Sequence, residues 1–306
     1  IVKTIVAILK PFKNCRVYDP CCGSGGMFVQ SAKFIQAHSG KRSEIAVYGQ
    51  ESNADTWKMA KMNMAIRGID ADFGPYQADT FFNDLHKSLK ADFIMANPPF
   101  NLSNWGQEKL KDDVRWKYGT PPAGNANYAW IQHMICSMSS GKGRMAVVMP
   151  QGILFRGNQE AEIRKQLVES DLIEAVVTLG DKLFYGTGLS PCFLIIRRMK
   201  QAHHSGRILM IDGSKILTQK RAQNILEEND IDRLYSLYQN YSDEEDYSRI
   251  VTLQEIRDKE YNLSPNRYVV YHKEEIRPYA EVLAEFKQAY ADVKRLENEF
   301  SLLINA

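Results

Sequence analysis

The sequence predicts an α/β fold in which a mostly parallel sheet carries helices on both faces. Short runs rich in β-branched residues alternate with helical stretches from about residue 15 to residue 200, an order typical of parallel sheets. A turn with three glycines follows the first of these runs, as expected where a strand leads directly into a helix. The longest apolar runs are far shorter than the ~20 residues of a membrane span, so we expect no membrane contact.

The predicted elements follow one another in chain order. Five runs have the residue types of strands: 16–19, 45–50, 92–96, 145–149 and 173–179. Between them, four stretches have the spacing and length of helices: 26–37, 54–67, 128–139 and 159–169. Residues 193–198 read as a last strand that could return beside the fifth in the antiparallel direction.

The region after residue 200 has a different character. Residues 207–212 read as one more strand, 219–241 as a charged helix and 242–246 as an acidic linker. From Ile276 to Leu303, apolar residues recur every three or four positions, which predicts a long amphipathic helix over residues 273–306. Such a helix either folds back on its own domain or docks on another subunit, and the sequence leaves both open.

Charge and cysteine content exclude several classes of function. The 306 residues include 39 basic and 37 acidic ones, so the surface has no general positive field that would bind nucleic acid nonspecifically. The five cysteines are odd in number and form no CxxC pair, which indicates a reducing cytoplasm rather than a disulfide framework. The chain begins with Ile1 instead of Met, and we therefore expect a fragment of a longer protein.

The first motif with chemical content lies at residues 17–28, where a strand ends in Asp19 and a turn with Gly23, Gly25 and Gly26 opens a helix. Glycine lets the backbone turn tightly and lets a ligand lie against main-chain N–H groups at the helix N-terminus. A nucleotide-like cofactor suits such a turn. The spacing differs from the GxGxxG pattern of dehydrogenases, and a turn that needs glycine only for its shape is the alternative.

Two acidic residues follow at later strand ends. Glu51 closes the second predicted strand, about twenty residues after the glycine turn, where a carboxylate can accept both ribose hydroxyls of a nucleoside. Asp79 ends what we predict as a third short strand and could accept a hydrogen bond from an adenine amino group. An N-cap role is nearly as good an interpretation of Asp79.

The most specific motif is Asn-Pro-Pro-Phe at residues 97–100, directly after a buried run. Two prolines stop the strand ladder and fix an extended turn at the carboxyl edge of the sheet, where ligands bind in such folds. The Asn97 side-chain carbonyl and the Pro98 backbone carbonyl are two rigid acceptors that suit an amine with two hydrogens. Phe100 offers a ring face on which a flat base can stack.

A further loop, residues 105–118, mixes basic residues with Trp105, Trp116 and Tyr118. Three acidic residues dilute its positive charge, so we favour a solvated loop slightly over a contact with nucleic-acid phosphates. No basic stripe follows residue 198, which makes this loop the main candidate for a DNA contact of the chain's own.

Together these motifs resemble a known enzyme family. The order Asp-Pro-x-x-Gly-Ser-Gly-Gly, then Asn-Pro-Pro-Phe about eighty residues later, is similar to that of the N6-adenine DNA methyltransferases. The chain resembles most closely the modification subunit of type I restriction-modification systems. Segments 125–130, 143–155 and 261–268 are similar to later blocks of that subunit, so the resemblance covers nearly the whole chain.

The resemblance implies a Rossmann-like, S-adenosylmethionine-dependent methyltransferase sheet with a C-terminal helical tail. It implies S-adenosyl-L-methionine as cofactor and direct methyl transfer to N6 of an adenine flipped out of double-stranded DNA. The cofactor-binding residues would be Asp19, Pro20, Gly23, Ser24, Gly25, Gly26, Met27, Glu51 and Asp79. The catalytic residues, which would hold the target adenine, would be Asn97, Pro98, Pro99 and Phe100, and no metal is implied.

The resemblance also implies a division of the chain and a set of partners. Residues 1–212 would form the methyltransferase catalytic domain, 213–272 a helical and linker extension, and 273–306 a helix for subunit docking. The family's N-terminal helical domain does not precede Ile1. A specificity subunit would read the DNA site and a restriction or translocase subunit would complete the complex, in a bacterial or archaeal cytoplasm. The alternatives are a stand-alone adenine-N6 methyltransferase, an enzyme that methylates a glutamine amide or an RNA base, and an inactive assembly subunit.

Overall fold

The computed structural model describes residues 1–38, 40–41, 44–184, 188–221, 223–272 and 279–304. The chain divides into two compact units, Ile1–Val270 and Tyr271–Ala306. The first unit holds the sheet and both of its helical layers, and the second holds the C-terminal helix. The domain boundaries that the sequence suggested at residue 212 and residue 272 stay a prediction.

The first unit is built on one mixed sheet. Its described strands are β1 (Cys15–Asp19), β2 (Ile45–Gly49), β3 (Ala71–Asp72), β4 (Phe93–Ala96), β5 (Arg144–Pro150), β6 (Ile173–Leu179), β7 (Pro191–Arg197), β8 (Arg207–Gly213) and β9 (Ser248–Thr252). Their order across the sheet is β3-β2-β1-β4-β5-β7-β6-β8-β9. The first five in this order are mutually parallel, and β7 runs antiparallel to both of its neighbours, β5 and β6. The predicted α/β class and the returning last strand are therefore confirmed.

Two parts of the sheet differ from the sequence prediction. The third strand is Ala71–Asp72, so Asp79 lies in the loop beyond it and not at a strand end. Strand β9, which pairs antiparallel with β8, was not predicted, because its polar sequence Ser-Arg-Ile-Val-Thr lacks a long apolar run. Both strands lie at the edges of the sheet, where one-sided pairing leaves a weak pattern in the sequence.

Helices cover both faces of this sheet. The described helices are α1 (Val2–Leu9), α2 (Gly26–His38), α3 (Ala54–Ile66), α4 (Gln107–Leu110), α5 (Asn127–Ser137), α6 (Asn158–Glu169), α7 (Glu228–Asn240), α8 (Leu253–Asp258) and α9 (Tyr279–Ile304). The helix predicted over 219–241 begins only at Glu228, because Glu227 and Asp230 form a capping box there. Upstream, Thr218 and Ile225 form an isolated β-bridge instead of a helical turn.

Alternate residues along the central strands point to two different cores. Val17 and Phe93 belong to a cluster with α1, α2, α3 and α7, whereas Tyr18 and Ile94 belong to a cluster with α5, α6 and α8. This alternation is the two-residue period of a strand that is buried on both sides. Burial on both faces holds the strands rigidly, so that the loops at their carboxyl ends start from fixed positions.

The second unit contains the long C-terminal helix that the apolar spacing predicted. Helix α9 runs over Tyr279–Ile304, while residues 273–278 and 305–306 of the predicted range lie outside the described part of the chain. Large apolar side chains along α9 are exposed: Tyr279, Val282, Phe286, Tyr290, Val293, Leu296 and Phe300. None of the helices within the described ranges is long and apolar enough to cross a membrane.

Candidate active site

The loops that carry the predicted site residues start at one edge of the sheet. Strands β1, β2 and β4 are parallel neighbours, so their carboxyl ends lie side by side. The chain runs outward from β1 to β2 and β3 and then returns to β4 on the other side of β1. This reversal of strand order opens a crevice between the loops after β1 and β4, where α/β sheets bind their ligands.

The glycine turn after β1 has the conformation that its sequence predicts. Gly23 and Gly25 have φ angles of +54° and +82°, in the left-handed region that favours glycine. A Cβ atom at Gly25 would approach the terminal methyl of Met64 to 2.9 Å, so the φ angle is the stronger reason for glycine there. A Cβ atom at Gly23 or Gly26 would meet nothing within 4 Å, so the turn faces open space there. The turn therefore leaves room for a ligand at the start of α2.

Hydrogen bonds to the Glu51 carboxylate link the turn after β1 to the end of β2. Its Oε2 accepts the backbone N–H of Gly23 at 3.1 Å, and its Oε1 accepts the backbone N–H of Asn53 at 2.8 Å. The Asn53 side chain in turn caps α3 by accepting the N–H groups of Asp55 and Thr56. Glu51 keeps part of its surface exposed, so a carboxylate oxygen remains within reach of a ligand.

Asp19 is the buried acid of the site. It ends β1, is 2% exposed, and its Oδ1 accepts hydrogen bonds from the backbone N–H and the thiol of Cys21. Burial raises the pKa of the Asp19 carboxyl to about 7, against the effect of the Cys21 hydrogen bonds, and the nearby Glu51 charge raises it further. Near neutral pH this carboxyl is therefore only partly ionised, and a cation beside it would favour the ionised form.

Asp79 is held in a loop that the buried Gln50 side chain shapes. The Gln50 Nε2 donates to the carbonyls of Ala78 and Asn83 at 3.2 and 2.8 Å, and its Oε1 accepts the N–H of Leu85. Asp79 is exposed, and its Oδ1 accepts the N–H of Phe81 at 2.7 Å. Gln50 was missed in the sequence, where the only signal was a polar residue at the end of a buried strand.

The remaining residues around the glycine turn have mixed placements. Pro20 is buried, and its carbonyl accepts the Thr80 hydroxyl at 2.6 Å. Ser24 is exposed within the turn, and its carbonyl accepts from the Asn63 amide. Met27 is 4% exposed and packs into the core, so its side chain belongs to the core rather than to a ligand site.

The loop after β4 presents the two acceptors that the sequence singled out. Asn97 is exposed and Pro98 is buried. Among the described residues, none donates a hydrogen bond to the Asn97 side chain or to the Pro98 carbonyl. Pro99 is exposed, and Phe100 is half-buried with its ring edge-to-face against Phe184 at 5.7 Å. Both acceptors therefore have unused hydrogen-bonding capacity, and the Asn97 side chain is also exposed.

A cavity of about 450 Å³ joins these loops. Of the predicted residues, Pro20, Glu51, Asp79 and Pro99 line it, together with Cys21, Ser52, Thr80, Phe81, Phe82, Leu102, Asn104, Trp105 and Trp130. The ring of Phe81 lies 5.2 Å from that of Trp105 and 4.3 Å from that of Trp130. An aromatic wall facing two carboxylates suits a nucleoside, whose base stacks and whose hydroxyl and amino groups donate hydrogen bonds.

The loop at 105–118 is packed rather than solvated, so that interpretation was wrong for its aromatic residues. Trp105, Trp116 and Tyr118 are 4%, 8% and 9% exposed. Trp105 and Trp116 pack on Phe81, which lies more than twenty residues earlier in the chain, and Tyr118 belongs to the same core cluster, so no local pattern could indicate their burial.

Arg115 fixes this loop against the cavity. Its guanidinium makes a bidentate ion pair with Asp113 and donates to the carbonyls of Thr80 and Phe81 at 3.1 and 2.5 Å.

The Arg115 guanidinium also donates to Nδ1 of the His133 ring at 3.1 Å. The other ring nitrogen of a neutral His133 therefore carries the proton and donates to the Tyr18 hydroxyl at 3.0 Å. Burial lowers the pKa of His133 to about 4, which keeps the ring neutral.

The chain is similar in sequence to a known protein family and to individual known proteins. Residues 1–276 match the model of the family described as N-6 DNA Methylase. The chain is 42% identical to the Type I restriction enzyme HindI methylase subunit of Haemophilus influenzae, over 98% of this chain and 70% of that protein. It is 36% identical to the Type I restriction enzyme MjaVII methylase subunit of Methanocaldococcus jannaschii, over 98% of this chain but only 53% of that protein.

A solved structure shows the same fold. The type I restriction-modification system methyltransferase subunit from Streptococcus thermophilus superposes with a TM-score of 0.80 at 27% sequence identity. The match covers 88% of this chain and 58% of that one. The chain thus spans between about half and seven-tenths of the length of these relatives.

Proposed function

We propose a function for this chain from the premise that it belongs to the N-6 DNA methylase family. The chain binds S-adenosyl-L-methionine and transfers its methyl group to N6 of an adenine in double-stranded DNA. It does so as the modification subunit of a type I restriction-modification complex. The observation that carries the proposal is that the Gly23–Glu51 hydrogen bond and the Asn97 side chain, which has no hydrogen-bond partner among the described residues, lie at the ends of neighbouring strands.

The cofactor fits the residues at this edge. Open space above Gly23 and Gly26, two carboxylates and an aromatic wall are what a nucleoside with a charged amino-acid tail requires. Asp19 and the glycine turn would hold the methionine end, Glu51 the ribose and Asp79 the adenine. When bound, S-adenosylmethionine supplies an electrophilic methyl group on a positively charged sulfur, so the protein needs no nucleophile of its own.

The Asn97 loop would prepare the target nitrogen. The lone pair of adenine N6 is delocalised into the ring, which makes the amine a poor nucleophile. The Asn97 and Pro98 carbonyls would accept its two hydrogens and favour a more tetrahedral, more reactive nitrogen. Stacking on Phe100 would offset part of the few kcal/mol that flipping the base costs.

Sequence reading would belong to a partner. The near-balance of 39 basic and 37 acidic residues favours a chain that acts on one flipped base while a specificity subunit holds most of the DNA. The exposed apolar side chains of α9 would form the docking face for that subunit. A restriction or translocase subunit would complete the assembly.

One experiment tests the proposal. The chain, alone and with a specificity partner, is incubated with duplex DNA and S-adenosylmethionine carrying a labelled methyl group, and the digested nucleosides are separated. Label in N6-methyladenine only with the partner is the expected result. Label without the partner would indicate a stand-alone enzyme, whereas no label despite measured cofactor binding would indicate an inactive assembly subunit.

A further inference from the structure

Asn127, the first residue of α5, is fully buried and bonds to the residue that follows the Asn97–Phe100 loop. Its Oδ1 accepts the backbone N–H of Asn101 at 3.0 Å, and its Nδ2 donates to the Asn101 side-chain oxygen, also at 3.0 Å. The oxygen and the nitrogen of the buried Asn127 amide therefore both bond to one residue, Asn101. Such a reciprocal pair fixes the position and the orientation of Asn101 together.

Asn101 itself adopts a backbone conformation that few residues accept. Its φ angle is 52°, in the left-handed region where asparagine is tolerated better than most other side chains. Its side-chain oxygen accepts a second hydrogen bond, from Arg156 Nη1 at 2.9 Å. One residue later, the carbonyl of Leu102 accepts the N–H of Ala126 at 2.9 Å. The turn after Phe100 is thus determined by contacts with the start of α5 and with Arg156.

The buried carboxylate of Glu160 supports Asn127 indirectly, through the side chain of Asn125. The Asn125 side-chain oxygen accepts the N–H of Asn127 at 3.2 Å, and the Asn125 amide donates to Glu160 Oε1 at 2.5 Å. Glu160 is 4% exposed, and its other carboxylate oxygen makes no hydrogen bond with the described residues. The same Oε1 lies 3.9 Å from Arg156 Nη1, so the Glu160 carboxylate holds both the Asn125 amide and the guanidinium that donates to Asn101.

We propose that Asn127 is a positioning residue that fixes the far end of the Asn97–Phe100 loop. The near end is fixed by β4, which pairs with β1 on one side and β5 on the other. The Asn97 side chain has no partner among the described residues, so its place is set by these two anchors, by the prolines between them and by the packing of Phe100 against Phe184. The inference rests on the proposed function, since it assigns Asn127 a role in holding the acceptors for the target amine.

Two substitutions at one position test the proposal. Asn127→Ala removes both bonds to Asn101, whereas Asn127→Asp keeps the acceptor for the Asn101 N–H but turns an oxygen towards the Asn101 side-chain oxygen. In the complex with the specificity partner, we expect the single-turnover methyl-transfer rate at saturating DNA to fall about a hundredfold. The dissociation constant for S-adenosylmethionine should not change, and hydrogen–deuterium exchange should rise in the peptide that contains residues 97–101.

A matched control is Asn14→Ala, since Asn14 is also a left-handed asparagine, with a φ angle of 62°, but precedes β1 at the opposite edge of the sheet. It should change neither the rate nor the exchange of the loop. If Asn127→Ala does not fold, Asn101→Gly keeps the backbone conformation while removing the side chain that Asn127 and Arg156 hold. It should act in the same direction.

An unchanged rate or unchanged loop exchange in these variants would overturn the proposal. The exchange measurement also separates this inference from the proposed function. If the parent complex methylates no DNA, the proposed function fails, while raised exchange at residues 97–101 still supports positioning by Asn127 and unchanged exchange still refutes it.

Discussion

The carboxylate of Glu51 accepts the backbone N–H of Gly23 at 3.1 Å, and this bond ties the end of β2 to the turn after β1. Its second oxygen accepts the N–H of Asn53, so the two oxygens serve two different loops. The same side chain thus shapes the glycine turn and faces the cavity that we propose for the cofactor.

Replacing Glu51 by glutamine should weaken cofactor binding. The amide keeps one oxygen, so either Gly23 or Asn53 loses its acceptor and faces an N–H donor instead, at a cost of about 1–3 kcal/mol. Titration calorimetry with S-adenosylmethionine measures the loss. Glu44→Gln is the matched control, because Glu44 also accepts a backbone N–H, from Lys41, but precedes β2 at the opposite edge. Equal affinities in both variants would contradict the role of Glu51.

The pKa of Asp19 predicts a pH dependence of binding. Burial raises the pKa of this carboxyl to about 7, and a cationic ligand favours its ionised form. Affinity for S-adenosylmethionine should therefore rise as pH increases from 6 towards 8, with release of a proton from Asp19. Asp19→Asn should remove this dependence while leaving the titration of the ligand's own amino group, which is common to both proteins. A parent pH profile that matches that of the variant would refute the prediction.

Asn97→Ala should abolish catalysis without disturbing the fold. The side chain is exposed and has no partner among the described residues, so thermal stability and cofactor affinity should equal those of the parent. Methyl transfer should fall by at least about a hundredfold, as when a preorganised group at a reacting centre is removed. Asn240→Ala, at the exposed end of α7, is the control. A variant that retains substantial methyl transfer would rule out Asn97 as the acceptor.

Arg115→Ala should destabilise the whole protein. The Arg115 side chain is 12% exposed, and its loss leaves the paired Asp113 and the carbonyls of Thr80 and Phe81 without this donor. Because the pair is only part-buried, we expect a cost of about 1–3 kcal/mol for leaving these polar groups without their partner. Urea unfolding measures this change, and Lys111→Ala in the same loop, at an exposed site, should have little effect. Similar midpoints for the two variants would contradict the role of Arg115.

Polar substitutions on α9 should prevent assembly with the specificity partner. Leu283→Gln, Phe286→Gln and Tyr290→Gln keep helix propensity but each remove about 1.5–3 kcal/mol of apolar burial at a docking face. Co-purification and gel filtration measure complex formation, while the unfolding transition of the isolated chain should not change. Lys287→Gln on the same helix is the control. An intact complex with the triple variant would rule out this docking face.

The parts of the molecule that local sequence determines were predicted correctly. The glycine turn, the position of Glu51 after the second strand and the end of β4 before Pro98-Pro99 each follow from residues adjacent in the chain, and so do the buried strands. The ligand roles of these residues stay a prediction. The loop that carries Asp79 could not be predicted, because its shape depends on hydrogen bonds to Gln50, nearly thirty residues away. Asn127 posed the same difficulty, since its partner Asn101 lies in a different loop.

The tryptophans that line the cavity also bear on the intrinsic fluorescence of this protein. Of its four tryptophans, Trp105 and Trp130 line the cavity, and Trp116 packs edge-to-face against Trp105 at 5.8 Å. Trp57 lies apart, with its indole N–H donated to the carbonyl of Phe73. Indole emission depends on the surroundings of the ring, and three of the four indoles lie at or beside this one cavity. The molecule therefore carries its own optical indicator of what occupies that space.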